Sequence, residues 1–261
     1  MDVPEIKARL RKHLRPSAYQ ALRKLNGYLN SSRKREDGLV SELALQEIGE
    51  PFASALGSMY RSEPQTGGDG QQHEIDSMTR VSIQEGLYLY RLCRETKARR
   101  TMEIGCGYGF STLYFLAAHA AGDAGDHVSI DPMENSAWQG IGVARAKEAG
   151  MQPRFRLVEK PSITGIPLLM DEGLQFGIIF IDGSHFFENV VVDFALSSRV
   201  CERDGLIIFD DMWMPSIRKV VSFIRRNRRD FAEVSTPVEN ICMFKKIDED
   251  RRGWRHFEDF D

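Results

Sequence analysis

Acids and one histidine stand at the ends of apolar runs along this chain. Glu103 lies in RTMEI, Asp131 ends HVSID, Asp182 ends FGIIFID, and Asp210-Asp211 end GLIIFDD. Each acid alone could be a helix cap or a solvated loop residue. Gathered at one edge of a sheet they would repel one another, and such a set calls for cationic or hydroxyl partners. Asp182, Asp210 and Asp211 together make a hard oxygen set suited to Mg²⁺. His185 follows Asp182 in DGSH, at the start of a helix expected over 185–200. That offset brings the imidazole close to whatever the ion holds. A helix start disfavours imidazolium, so a neutral ring able to accept a proton is expected there. A capping or core histidine is the alternative.

The chain's other chemical feature is its glycine turn. In EIGCGYGFST, Gly105, Gly107 and Gly109 alternate between a short apolar run and a helical pattern. Strand, glycine turn and helix start form a ligand crevice, because glycine lets backbone approach a ligand and the helix start offers free N–H groups. The spacing is GxGxG rather than the GxGxxG of dinucleotide folds. Asp131 falls about 25 residues beyond the turn at the next strand end, where an acid accepts ribose hydroxyls.

Positioning these residues requires an alternating fold. A helix over 78–93 feeds the strand at 101–104, and a helix follows over 113–121. Strands at 127–131, 154–158, 176–182 and 205–211 then alternate with helices at 137–149, 162–170 (capped by Ser162), 185–200 and 216–227. Strands apolar throughout and separated by helices predict a parallel α/β sheet covered on both faces. Segments 231–236 and 241–247, joined by PVEN, predict a closing hairpin. Upstream, 3–35 reads as basic helical material divided near Pro16, and 38–60 as a further helix. The stretch EPQTGGDG at 63–70 reads as a flexible linker. The expected organisation is a helical extension or cap over 1–75 and a catalytic domain over 76–261.

Composition narrows the options. Of the 261 residues, 42% are hydrophobic, enough for one full core. Residues 1–35 carry ten Lys/Arg against Asp2 and Glu5, a balance of +8 in a chain of net −3, so residues 36–261 carry −11. A basic helix can hold nucleic acid, but the acidic body and sparse aromatics (Tyr19 and Tyr28) argue against it. The stripes of 3–35 instead need the body or a second copy to bury against, which raises homo-oligomerisation. No run reaches membrane-spanning length and no secretory leader is apparent, so a cytoplasmic protein without a membrane partner is expected. Cys93, Cys106, Cys201 and Cys242 lie scattered in apolar surroundings, as buried free thiols do.

The motifs EIGCGYGFST, SIDP, FIDGSH and FDDMW, at these intervals, resemble those of class I S-adenosylmethionine-dependent methyltransferases. Among them, the metal-dependent small-molecule O-methyltransferases of the catechol, caffeoyl-coenzyme A and antibiotic-sugar types are most similar. The similarity runs from about residue 76 to 247. It implies a Rossmann-like sheet of seven strands, mostly parallel, with a C-terminal antiparallel hairpin. It also implies cofactor contacts at Glu103, Gly105, Gly107, Ser111 and Asp131, Mg²⁺ ligands at Asp182, Asp210 and Asp211, and His185 as base. The catechol enzymes have Asp-Asn where this chain has Asp210-Asp211, and a lysine where it has His185. Both departures lean towards the sugar enzymes. The implied activity is methyl transfer to a hydroxyl of a small sugar or catechol-like acceptor. A metal-independent methyltransferase acting on an amine or hydroxyl, and an RNA-binding methyltransferase, are the alternatives.

Overall fold

The computed structural model describes residues 43–76, 79–122 and 125–260. The chain divides into two compact units, 1–44 and 45–261, and the account below concerns the second. The basic helices expected over 3–35 lie outside the described residues, as does the start of the helix expected over 38–60.

That expected helix is broken. A 3₁₀ turn at Gln46–Ile48 ends at Gly49 with φ +73°, and helix α1 (Phe52–Tyr60) begins after Pro51. Proline has no N–H to give and fits the first turn only. The stretch expected as a flexible linker is an ordered hairpin. Strands β1 (Gln65–Thr66) and β2 (Gln72–His73) pair antiparallel, and Gly68 N–H donates to Gln139 O at 2.8 Å. Glycine-rich composition marked a tight turn here, since a Cβ on Gly67 would lie 2.6 Å from Gln139 O.

Helix α2 (Ile83–Thr96) opens on a capping box in which Ser82 and Glu85 serve each other's backbone N–H. The sheet follows: β3 (Arg100–Ile104), β4 (Asp126–Ile130), β5 (Phe155–Val158), β6 (Phe176–Ile181), β7 (Cys201–Phe209), β8 (Phe231–Val234) and β9 (Cys242–Lys246). Between them run α3 (Phe110–Ala121), α4 (Ile141–Glu148), α5 (Ser162–Asp171), α6 (Phe187–Val200) and α7 (Pro215–Asn227). The order is β5-β4-β3-β6-β7-β9-β8, with β9 antiparallel between β7 and β8. This seven-stranded, mostly parallel, Rossmann-like sheet is the expected one. The chain winds outward from β3 through β4 and β5, then crosses to β6 on β3's other side. The crevice therefore opens at the carboxyl ends of β3 and β6.

Burial explains the apolar strands. Phe176, Ile178, Ile179, Phe180 and Ile181 of β6 and Ile207, Ile208 and Phe209 of β7 are each at most 3% exposed, as required when helices cover both faces. All four cysteines are free and buried. Two helix starts differ from expectation. Ser162 is the first residue of α5, and Pro161 occupies the cap without a side-chain bond. Helix α6 begins at Phe187, so His185 precedes it. The tail docks, with Asn227 Nδ2 donating to Glu258 O at 2.8 Å and Phe260 packing 5.5 Å from Phe223.

Helices α2 and α3 meet at Gly86, where an added Cβ would fall 2.0 Å from the fully buried Tyr114 ring. In an exposed helix Gly→Ala stabilises by about 1 kcal/mol. Here overpacking should reverse the sign, and Gly86→Ala should lose about 1–3 kcal/mol in denaturant unfolding.

Candidate active site

The turn after β3 depends on glycine twice. Gly105 has φ +97°, and a Cβ there would sit 2.2 Å from Asp182 O, beyond the end of β6. Gly109, φ +87°, lies against Gly142 at the start of α4, with a Cβ position 2.7 Å from the Gly142 Cα. A Cβ on Gly107 would meet nothing within 4 Å, so that residue faces open space. A left-handed turn with one open glycine is a cradle that a ligand can approach closely.

The acids around the turn have separate tasks. Asp131, 5% exposed, accepts from the N–H groups of Cys106 and Gly107 on Oδ2, each at 3.0 Å, and from Met133 N–H on Oδ1 at 2.8 Å. It therefore holds the turn's backbone. Glu103 is fully buried beneath the turn. Its Oε2 accepts from Ser111 Oγ at 2.7 Å, and its Oε1 accepts from Ser129 Oγ at 2.5 Å and from the Thr112 hydroxyl. Those partners place Glu103 under the cradle, with Ser111 above it.

Across the switch point, Asp182, His185 and Asp211 bring one donor atom each within 4.8 Å of one another. His185 Nε2 lies 2.6 Å from Asp211 Oδ2, and Trp213 Nε1 donates to Asp211 Oδ1 at 2.7 Å. The charge facing His185 is thus a carboxylate, in place of the helix start expected from sequence. Asp210, expected as the third carboxylate, is not in the group. It is 5% exposed and its Oδ1 accepts from Asp211 N–H and from Asn240 Nδ2, both at 2.8 Å. Asp211 adopts φ +57°, which turns successive carboxylates apart.

Burial and crowding of negative charge bear on the protonation of these acids. Burial, with Asp210 and Asp211 nearby, pushes Asp182 well above the ordinary carboxylate range. Burial raises Asp210 to about 8, with Glu85 adding to the effect. Burial also works against ionisation of Asp211, but hydrogen bonds from His185 and Trp213 outweigh it and leave that group lowered.

Several site residues escaped the sequence reading. Asn240 reaches the acids from the turn between β8 and β9, and its carbonyl accepts from Met212 N–H at 2.9 Å. Only the return of β9 beside β7 brings it there. Trp213, 63% exposed, and Phe186, 59%, flank the cluster. A detectable signal did exist for Thr101 and Ser129, which are polar residues inside buried strands.

Sheet order and glycine turn make this a Rossmann-like fold, and its likeness in fold is to solved methyltransferases. Residues 102–212 match the family model described as a methyltransferase domain. It is 31% identical over 132 residues to a catechol O-methyltransferase of Mycobacterium tuberculosis, over 51% of this chain and 56% of that one. It is 28% identical over 207 residues to a caffeoyl-CoA O-methyltransferase of Eucalyptus globulus, covering 71% of this chain and 80% of the relative. The chain thus spans little more than half the length of the mycobacterial relative. A solved O-methyltransferase of Streptomyces achromogenes involved in tomaymycin synthesis, in complex with SAM, superposes with a TM-score of 0.57. At 19% identity the match covers 76% of this chain and 91% of that one, a likeness of fold. No described helix is long and apolar enough to cross a membrane.

Glu134 adds a buried acid beside the turn. It is fully buried, its Oε1 accepts from Val143 N–H at 3.0 Å, and Oε2 has no partner among the described residues. Burial raises its pKa to about 7. A folded-state value above the ordinary 4.5 means the bound proton stabilises the fold below that value, and the contribution is lost as pH rises through about 7. Glu134→Gln keeps the acceptor and removes the charge. Thermal melts should find it more stable than wild type by roughly 1–3 kcal/mol at pH 8, with the gap closed at pH 4.

Proposed function

We propose that this chain transfers the methyl group of S-adenosylmethionine to a hydroxyl of a small molecule, with a divalent ion such as Mg²⁺ at Asp182 and Asp211. One observation carries the reading: the Asp182, His185 and Asp211 cluster abuts the glycine cradle, with Asp182 O against Gly105. The O-methyltransferases among the relatives support it. The residues suit both groups. Gly107 opens on free space for a cofactor, and the crowded carboxylates of Asp182 and Asp210 lack the positive charge that would keep them ionised. S-adenosylmethionine supplies an electrophilic methyl on a sulfonium, and the ion supplies charge that lowers the pKa of a bound hydroxyl.

The chain's own residues do the rest. Gly105, Gly107 and Ser111 take the methionine part, and Asp131 takes the ribose while holding the Cys106–Gly107 backbone. His185, 41% exposed at the crevice, receives the acceptor's proton on its imidazole. Asp211 fixes that ring through Nε2, and Trp213 fixes Asp211. Asp210, tied to Asn240, acts from outside the donor cluster as support for Asp211. Phe186 and Trp213 offer apolar walls to a sugar or catechol-like acceptor, and in-line placement of two reactants does most of the catalytic work. Residues 45–75 belong to the same unit as the sheet, with the β1–β2 hairpin seated on the Gln139 turn. The cytoplasm is the proposed location.

The short His185–Asp211 contact favours a second reading, in which the pair works without an ion as a carboxylate-oriented base. Chelation separates the two. Under the metal-assisted reading it abolishes turnover and leaves S-adenosylmethionine binding by calorimetry largely intact; undiminished turnover hands the site to the metal-free pair. Under either reading His185→Ala should lower kcat by roughly 10²–10⁴. Asp131→Ala should weaken cofactor binding by about 1–3 kcal/mol, and unchanged affinity would remove Asp131 from the cofactor site.

A further inference from the structure

A buried polar chain runs under the cradle, and the reaction outlined above uses only its end at Ser111. Thr101 and Glu103 of β3 pair in register with His127 and Ser129 of β4. Residues two apart share a face, so four polar side chains form one patch inside the molecule. Helix α3 covers the patch with Ser111, Thr112, Phe115 and His119. None of these eight side chains belongs to a residue more than 4% exposed. Polar groups so buried persist only when hydrogen-bonded, and these are connected end to end.

The connections have a direction. His127 Nε2 lies 3.3 Å from Ser129 Oγ and 3.2 Å from Glu103 Oε1; with the Ser129 proton already given to Glu103, both neighbours accept and Nε2 is the donor among the three. Ser129, Thr112 and Ser111 each donate their single hydroxyl proton to the same carboxylate. On the far side, Thr101 Oγ1 lies 2.8 Å from His127 Nδ1 and 2.9 Å from His119 Nε2. With one proton to give, Thr101 donates to one imidazole and accepts from the other. Burial holds His119 down to about 3, so that ring is neutral. His127 is further locked by stacking on Phe115, with ring centroids 5.0 Å apart at 16°. Its ring therefore cannot turn away from Glu103 without disturbing the packing of α3.

The consequence reaches the crevice through Ser111. Its proton is committed to Glu103 Oε2, so any further partner of its oxygen must be a donor. We propose that Thr101, His119 and His127 are positioning residues that hold the Glu103 carboxyl in place to accept the Ser111 proton, so that Ser111 presents only lone pairs to a ligand's ammonium group. This rests on the S-adenosylmethionine reading and extends it. Selection for the amino group of the methionine moiety is set by side chains buried beneath the pocket as well as by those lining it.

The test compares two ligands by calorimetry. One is S-adenosylhomocysteine, and the other is its analogue with the amino group replaced by hydrogen. Thr101→Val keeps the shape and breaks the chain between the two imidazoles. It should weaken S-adenosylhomocysteine about tenfold and leave the deaminated analogue within about twofold. His127→Phe, which preserves the stack, should do the same, and Thr101→Ser should restore wild-type discrimination. Equal losses for both ligands, or no loss for either, overturn the proposal. Thermal melts of each variant identify any that fail to fold, and Thr101→Ser then carries the comparison against wild type: a changed ratio of the two affinities overturns the proposal. If wild-type protein binds neither ligand, the cofactor reading itself falls; if wild type binds and the variants do not discriminate, only the relay does.

Discussion

Two strand ends can share the mouth of this sheet only because one of them gives up its side chain. Asp182 O occupies the place where a Cβ of residue 105 would stand, 2.2 Å away. This close approach at the switch point sets the depth of the crevice. It also brings the acids beyond β6 and β7 against the turn that follows β3. Gly109 against Gly142 repeats the arrangement on the other flank, where α4 begins. The cradle is therefore held by backbone on both sides, and its left-handed turn is a by-product of packing as much as an adaptation to a ligand.

Charge sets the second constraint. The crevice concentrates carboxylates, and the structure distributes donors among them unequally. Asp131 and Glu103 are satisfied by backbone N–H groups and hydroxyls. Asp211 has imidazole and indole partners. Asp182 is left with like charges for neighbours. The acids thus divide into those that maintain the fold and one, Asp182, whose carboxylate takes no side-chain hydrogen bond among the described residues. A crevice with that imbalance is suited to ligands that arrive with positive charge of their own, as a sulfonium or a metal ion does.

Much of this was legible in sequence because it depends on period and punctuation. Apolar strands ending in acids, the glycine turn and the closing hairpin all appear where local pattern dictates. The misreadings share a physical origin. Glu63–Gly70 has the composition of a linker, yet its glycines serve a tight turn pressed on Gln139. His185 lies two residues before its helix, because Phe186 with ψ 133° is the cap. Asp210 is the acid before a left-handed residue, and no local signal says which of two adjacent carboxylates will turn away. Asn240 was invisible for a different reason. Its role depends on a strand that folds back between β7 and β8, a contact spanning thirty residues that no window of sequence contains. Thr101 and Ser129 did carry a signal, polar residues at period two in strands otherwise apolar, which is the mark of a buried network.

The insertion of β9 between β7 and β8 has a consequence for how the protein is made. A chain emerging from the ribosome delivers β3 to β7 first, with Asp182, His185, Asp210 and Asp211 already present. Until Asn240 and the residues up to Lys246 have followed, Asp210 lacks its Asn240 partner and β7 has a bare edge. The nascent molecule is therefore an open sheet with an exposed pairing face, the form most prone to joining a neighbour. Completion of the site and closure of the sheet are the same late event in synthesis, so a chain that stalls short of β9 lacks the support for its acids together with its protection from aggregation.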